Sequence, residues 1–414
     1  MTRFALVCPP FWSHVRAFEA LGEALAARGH EATLVLNHGG AALSRSVQVP
    51  AFEIAGEAGE ARRHALAGRR GVLSTVREAA RRTDALCRLA PPLLRDLGAE
   101  AILADQMEPA GGLLARHLEL PFVSVASALP ADPDPAIPPP YLGWPFDPSP
   151  QGLKRNRGGA LVAGIAMGAQ NRAVRRWADA FDLAGIATLE DCFSPLGTIS
   201  QTVASFDFPR EGGRIFAVGP FRGLEVEEAA PLRRENGRPL VFASFGTLQG
   251  HRLGLFRRIA AACRRLGTRL AIAHCGLLTA AEAASLDADL VTDFLPQRAI
   301  LREADVCVTH GGLNTAMDAL EMGVPCLAIP FGFDQPGVAA RLAYRGAGLA
   351  LPHRGLTISR VETALARLLA DPGFALAARR IGADIRSGGG CARAAAIAEG
   401  LVGAPARRLE EVRA

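Results

Sequence analysis

The chain has eight cysteines in 414 residues and no Cys-x-x-Cys among them. Cys8, Cys87, Cys192, Cys263, Cys275, Cys307, Cys326 and Cys391 are scattered, most of them inside apolar runs. That spacing offers neither a paired-cysteine metal framework nor a disulfide scaffold, and it reads as buried free thiols in a reducing compartment. Long hydrophobic runs are missing too: none approaches the ~20 apolar residues that span a bilayer. The longest weakly polar stretch, GGALVAGIAMGA at 158–169, is short and glycine-rich. At the N-terminus, MTRFALVCPP carries one arginine and a brief apolar run closed by Pro-Pro, which reads as a first strand and not as a secretory signal. A cytoplasmic protein is expected. No Gly-x-Gly-x-x-Gly follows the first strand of either half; CPPFWSH and SFGTLQG stand there, which weakens the case for a dinucleotide-dependent oxidoreductase. No period-based repeat occurs. Excess charge of one sign is small, +5 with pI near 8.9, so an anionic partner is permitted but not demanded, and nucleic acid is not expected as one.

What is present suits a globular protein: 49% hydrophobic and 21% charged residues. The length exceeds what one core usually organises, so two domains are expected. RFALVC, a helical pattern with Phe18, Leu21 and Leu25, and EATLVL form a strand–helix–strand unit, hence a parallel sheet. The pattern returns at EAILAD (100–105), at PFVSVAS and at RIFAVG (214–219). A polar stretch bounded by Pro and Gly follows at 219–239, and strand–helix alternation then restarts at LVFASF. The fold class is therefore α/β, with two facing Rossmann-like doubly wound domains and the active site in the cleft between them. The expected divisions are 1–220, a linker at 221–237, 238–385, and a C-terminal helical segment at 386–414 that packs back on the first domain. LPADPDPAIPPPYLGWPFDPSP (129–150) is a proline-dense irregular loop that lines or covers something.

The most informative stretch is THGGLNTAMD, 309–318, directly after the strand DVCVT. Gly311 and Gly312 let the backbone approach a ligand closely, and a helix begins near Leu313. A helix N-terminus presents free N–H groups and a positive partial charge, which suits a phosphate. Asn314, Thr315 and His310 add donors, His310 a cationic one if protonated, and Asp318 can accept from a ribose diol. Taken alone the same residues describe an ordinary capped helix equally well. The neighbours tilt the balance: DFLPQ upstream supplies Phe294 and Gln297, and GVPCLAIPFGFDQP downstream ends in Asp334-Gln335.

Residues 294–335 resemble the nucleotide-sugar signature of glycosyltransferase family 1. That pattern runs from an aromatic-x-Pro-Gln through His-x-Gly-x-Asn-Ser/Thr and an acidic residue to Asp/Glu-Gln. The resemblance implies the GT-B fold and assigns roles by position. Phe294 would stack on uracil and Gln297 would bond base or ribose; His310, Gly312, Asn314 and Thr315 would hold the diphosphate, Asp318 the ribose, and Asp334 and Gln335 the sugar hydroxyls. SFGT at 244–247 matches as well, so Gly246 and Thr247 would reach the phosphates. Phe294 stands where Trp is common, and Asp318 where Glu is usual. PPFWSHVRAFEALGEALAARGHEATLV, SFGTLQGHRLGLFRRIA, THGGLNTAMDAL and FGFDQPGVAARLAYRGAG together resemble the bacterial carotenoid glucosyltransferase branch of that family.

Sugar transfer to an alcohol needs a base for the hydroxyl and stabilisation of the departing diphosphate. His14, in the loop after the first strand, is the expected base, and Asp105, closing EAILAD, would orient it as its counterpart does in the family. Read without the second half's motif, both residues are better taken as capping or loop residues. Direct displacement with inversion is expected, because no carboxylate nucleophile stands out. No metal is expected: DPD (132–134) and DAD (287–289) match Asp-x-Asp only loosely and read as solvated turns. No cofactor is expected beyond the sugar donor as co-substrate. Asp318 favours a ribonucleotide, so UDP-glucose is the first choice of donor, with UDP-galactose or UDP-glucuronate behind it. The acceptor would be a lipophilic alcohol such as the carotenoid zeaxanthin, held by Phe11, Trp12, Tyr141, Trp144 and Phe146. Flavonoid, macrolide and sterol-like acceptors stay open, as do a nucleotide-sugar epimerase and a non-catalytic sugar-nucleotide sensor. The segment 62–88 has eight arginines against Glu78 and Asp84, and KRNR (154–157) and RAVRRW (172–177) flank a weakly apolar stretch. Such residues permit peripheral contact with an anionic membrane, or form a solvated helix face. Oligomeric state has no signature.

Overall fold

The computed structural model describes residues 1–56, 71–210, 212, 214–223, 229–233, 235, 237–403. Parts of the basic stretch, the expected linker and the expected C-terminal segment thus lie outside the described residues. The strands form two wholly parallel sheets. The first has the order β3-β2-β1-β4-β5-β6-β7, from Ala51–Glu53, Glu31–Leu36, Arg3–Val7, Ala101–Asp105, Phe122–Ala126, Thr198–Ser200 and Ile215–Ala217. The second has the order β10-β9-β8-β11-β12-β13, from Leu290–Thr292, Arg269–Ala273, Leu240–Ser244, Val306–Thr309, Cys326–Ala328 and Gly348–Ala350. Central strands such as AILAD and VCVT are buried at every position, as strands covered by helices on both faces must be.

In each sheet the chain winds outward from one central strand, then returns to pair on its other side. β1 lies beside β4, with Val7 opposite Ala104; β8 lies beside β11, with Ser244 opposite Thr309. At such a reversal the loops leaving the carboxyl ends diverge and open a crevice. Both crevices carry residues singled out by the sequence.

The first helix, Trp12–Ala26, begins earlier than expected. Phe11 is extended at its N-cap, and its carbonyl accepts from the amides of His14 (3.0 Å) and Val15 (2.9 Å). His14 therefore sits in the first turn of a helix and not in a loop, on a backbone fixed by Val15, Phe18, Leu21 and Leu25 packed beneath it. The last described helix, Gly390–Val402, packs on this helix and on β5 and β6, and its Ala394, Ala395 and Ala398 belong to the first sheet's core. The halves are clamped at a buried ion pair: Arg341 Nε donates to Asp207 Oδ1 at 2.6 Å, and Arg210 Nε to Asp207 Oδ2 at 2.8 Å. Burial alone would raise the Asp207 carboxyl, but Arg341 and Arg210 outweigh it and hold it below its ordinary value. No helix among the described residues is long and apolar enough to cross a membrane.

Candidate active site

Three side chains converge at the first crevice. His14 Nδ1 lies 2.7 Å from Asp105 Oδ2, at the end of β4, and 2.7 Å from Ser127 Oγ, just past β5. Ser127 donates to Asp105 Oδ2 at 2.5 Å, and the Met107 amide donates to Oδ1 at 2.8 Å. Asp105 is fully buried, so it is oriented by neighbours and not by water. A carboxylate only accepts hydrogen bonds; in the neutral ring Nδ1 is therefore the protonated nitrogen and Nε2 carries the lone pair. Ser127 was not singled out from the sequence, where it is one of two serines in PFVSVAS.

The second crevice holds His310, Gly246 and Gly312. The His310 ring lies between the two glycines: a Cβ on Gly246 would stand 2.8 Å from its Cε1, and one on Gly312 2.6 Å from Cε1 and Nε2. Gly246 has φ +67°, a left-handed conformation that glycine supplies without strain. The helix Leu313–Glu321 starts directly after Gly312. Desolvation pushes the His310 pKa down to about 4, against a hydrogen bond to the Ser244 backbone that raises it. At neutral pH His310 is thus a neutral donor and not the cation that the sequence left open. Its Nδ1 has no hydrogen-bond partner among the described residues.

The other expected donor residues form one network. Gln297 Nε2 donates to Asp318 Oδ2 at 2.6 Å, Thr315 Oγ1 donates to Gln297 Oε1 at 3.2 Å, and Arg222 pairs with both Asp318 and Glu321. The Thr315 hydroxyl proton is thus directed at Gln297. Phe294 is 69% exposed beside this network, an open ring face. Gln335 Oε1 takes the amides of Phe331 (2.9 Å) and Gly332 (3.2 Å). Asp334 accepts from the Leu129 amide at 3.2 Å. Burial raises its carboxyl, while the Leu129 amide and His14 across the cleft pull the other way. Thr247 and Asn314 are exposed.

A residue the sequence did not flag joins the crevices. Gln201, 1% exposed beyond β6, donates from Nε2 to the Ser127 carbonyl and, at 2.8 Å, to Asn314 Oδ1.

The expected acceptor residues are only partly brought together. Phe11 packs against His14, ring centroids 5.9 Å apart, and Trp12 is exposed beside it. Tyr141 is 40% exposed, and burial of its hydroxyl and then the charge of Glu190 push its pKa to about 12. Trp144 lies against Gly159 under the Arg155 guanidinium. Phe146 departs from expectation: it stacks on Phe208 at 5.5 Å and meets Tyr344 at 5.6 Å, so aromatic packing between the halves takes up its faces. The two Asp-x-Asp stretches are structural: Asp132 accepts from Thr198 and Asp134 from the Ala136 amide, Asp289 accepts from the Leu270 amide, and Asp287 pairs with Arg264.

Residues 278–399 match the model for the C-terminal domain of erythromycin biosynthesis protein CIII-like proteins. The zeaxanthin glucosyltransferase of Pantoea ananas is 37% identical over 413 residues, covering 96% of this chain and 96% of that protein. The chain belongs to glycosyltransferase family 1. A second zeaxanthin glucosyltransferase, from Pseudescherichia vulneris, is 36% identical and covers 96% of this chain and 98% of that protein. Among solved structures, the glycotransferase of kitacinnamycin superposes with a TM-score of 0.79 at 19% identity, over 97% of this chain and 99% of that one. The calicheamicin glycosyltransferase CalG4 gives 0.75 at 21%, over 98% and 99%. The glycosyltransferase thus has the GT-B architecture of two parallel-sheet α/β domains.

Proposed function

We propose that this glycosyltransferase moves glucose from UDP-glucose to a hydroxyl of a lipophilic acceptor, a carotenoid such as zeaxanthin, with inversion at the anomeric carbon. The observation that supports the reading is the His14–Asp105–Ser127 cluster, with His14 close enough to Asp334 of the other half for its charge to act on that carboxyl. The similarity to two zeaxanthin glucosyltransferases supports the choice of donor sugar and acceptor.

In this reading Nε2 takes the proton of the acceptor hydroxyl. The oxygen attacks the anomeric carbon as the bond to the diphosphate breaks, and UDP leaves with that electron pair. Asp105 stabilises the imidazolium that forms, and Ser127 holds Asp105 in line. Charge growing on the diphosphate meets the free amides that open the helix Leu313–Glu321 and the neutral His310. Asp334 and the Nε2 of Gln335 read sugar hydroxyls, and Phe294 stacks on the base.

The test is UDP release and product mass with UDP-glucose and zeaxanthin, a flavonoid or a macrolide in parallel. Zeaxanthin is expected to give the glucoside. His14→Ala should keep UDP affinity within a few-fold and lose at least ~1000-fold in rate. Transfer by His14→Ala near the unsubstituted rate overturns the base, and product only from another acceptor overturns the carotenoid reading.

A further inference from the structure

We propose that the outer face of the helix Pro150–Ala166 docks on an anionic lipid bilayer. This helix is built inside out. Its buried positions are Gly152, Asn156, Gly159 and Ala163, which are small or polar. Its large aliphatic side chains point to solvent: Leu161 is 73% exposed, Val162 68% and Ile165 81%. A helix stabilised only by its own domain places such residues inward. Three large aliphatics on one exposed turn mark a contact surface.

Charge names the occupant. Lys154 and Arg157 are exposed on the same face, two turns and one turn before Leu161, and Arg172 is exposed on the next helix, Gly168–Ala180. None of these three cations makes an ion pair among the described residues. Nearby arginines are committed elsewhere: Arg176 to Asp84, and Arg155 to the Pro145 carbonyl and the Trp144 ring. From Lys154 to Ile165 the stripe runs roughly 16 Å, basic at one end and aliphatic at the other. It lies in the plane of an interface, with aliphatics toward acyl chains and cations among phosphates. The patch has no Trp, Tyr or Phe, the side chains that anchor protein interfaces.

The position gives the contact a use. On its inner side the helix carries Trp144 against Gly159, where a Cβ would come within 2.6 Å of the indole. That loop runs on to the donor half, with the Gly337 amide bonded to the Pro140 carbonyl. A bilayer on the outer face is thus one helix thickness, about 10 Å, from the loop. Delivery of a membrane-dissolved acceptor along this face rests on the lipophilic-acceptor reading above; the lipid contact itself does not.

The test is co-sedimentation of the full chain with vesicles of phosphatidylcholine, alone or with phosphatidylglycerol. Expected is binding to the mixed vesicles, at least tenfold weaker binding to pure phosphatidylcholine, and weakening with salt. Leu161→Asp/Ile165→Asp and Lys154→Glu/Arg157→Glu should each reduce binding at least tenfold. Both should keep the circular dichroism spectrum and the transfer rate on a detergent-dispersed acceptor. Absence of vesicle binding, binding unchanged in both variants, or a dimer that the aspartates convert to monomer each overturns the proposal. Sedimentation uses neither donor nor acceptor, so its failure leaves the transfer reading standing, and failure of transfer leaves the lipid contact standing.

Discussion

His310 sits in the second crevice between Gly246 and Gly312, and its local surroundings keep it uncharged. With a folded pKa of about 4 against 6.5 for an ordinary histidine, the unfolded chain takes up the proton first as pH falls. Stability from the neutral ring is whole above pH 6.5 and is lost on the way down to 4. The unfolding free energy should drop by up to roughly 3 kcal/mol over that window, and His310→Gln should remove that part of the slope in denaturant titrations. An NMR titration of the ligand-free protein should find the His310 ring neutral at pH 6. Gly312→Ala would drive a methyl into that ring, so UDP affinity should fall at least ~10-fold by calorimetry, about 1.4 kcal/mol. At this scale the sequence was legible wherever spacing carried the message: His310, Gly312, Asn314 and Asp318 fall at fixed intervals after an apolar strand. Ser127, Gln201 and Arg222 fall at no such interval. Each stands just beyond a strand end, and only the order of strands in the sheet shows what it faces.

Among elements, the fully apolar strands were readable because parallel strands buried on both faces leave continuous hydrophobic runs. β3 and β6, of three residues each, carry too few side chains to show a period. The helix Val72–Asp96 runs through Pro91-Pro92, and packing against Gly168–Ala180 carries it past the break that the prolines favour. The start of Pro150–Ala166 had a local signal, Ser149 accepting from the Gly152 amide with proline at the first helical position, but proline density around it read as loop. The end of β6 supplies a further expectation. Gln201 ties the shelf under the His14 cluster to the first turn of the helix Leu313–Glu321, so Gln201→Leu should reduce kcat about tenfold and change the KM for the proposed sugar donor less. Steady-state kinetics with the donor varied measures both; a pure KM effect would mean that the glutamine serves binding alone.

For the whole molecule, two domains followed from length and from the restart of strand–helix alternation, whereas their mutual grip did not. It depends on Asp207, in an irregular segment of the first half, meeting Arg341 on a helix of the second. Asp207→Ala leaves Arg341 buried and unpaired, which should cost about 3–5 kcal/mol and split calorimetric unfolding into two transitions. Replacing both residues by leucine and methionine should recover much of that loss. The return of Gly390–Val402 to the first sheet's core means that the backbone passes between the halves twice. The two passages touch: the Gly390 amide bonds the Val218 carbonyl at 2.7 Å, and a Cβ on Gly388 would stand 2.5 Å from that same oxygen. The halves are thus held both at this doubled tether and at the Asp207–Arg341 pair, so a chain that has lost the pair keeps its two halves joined side by side at the tether.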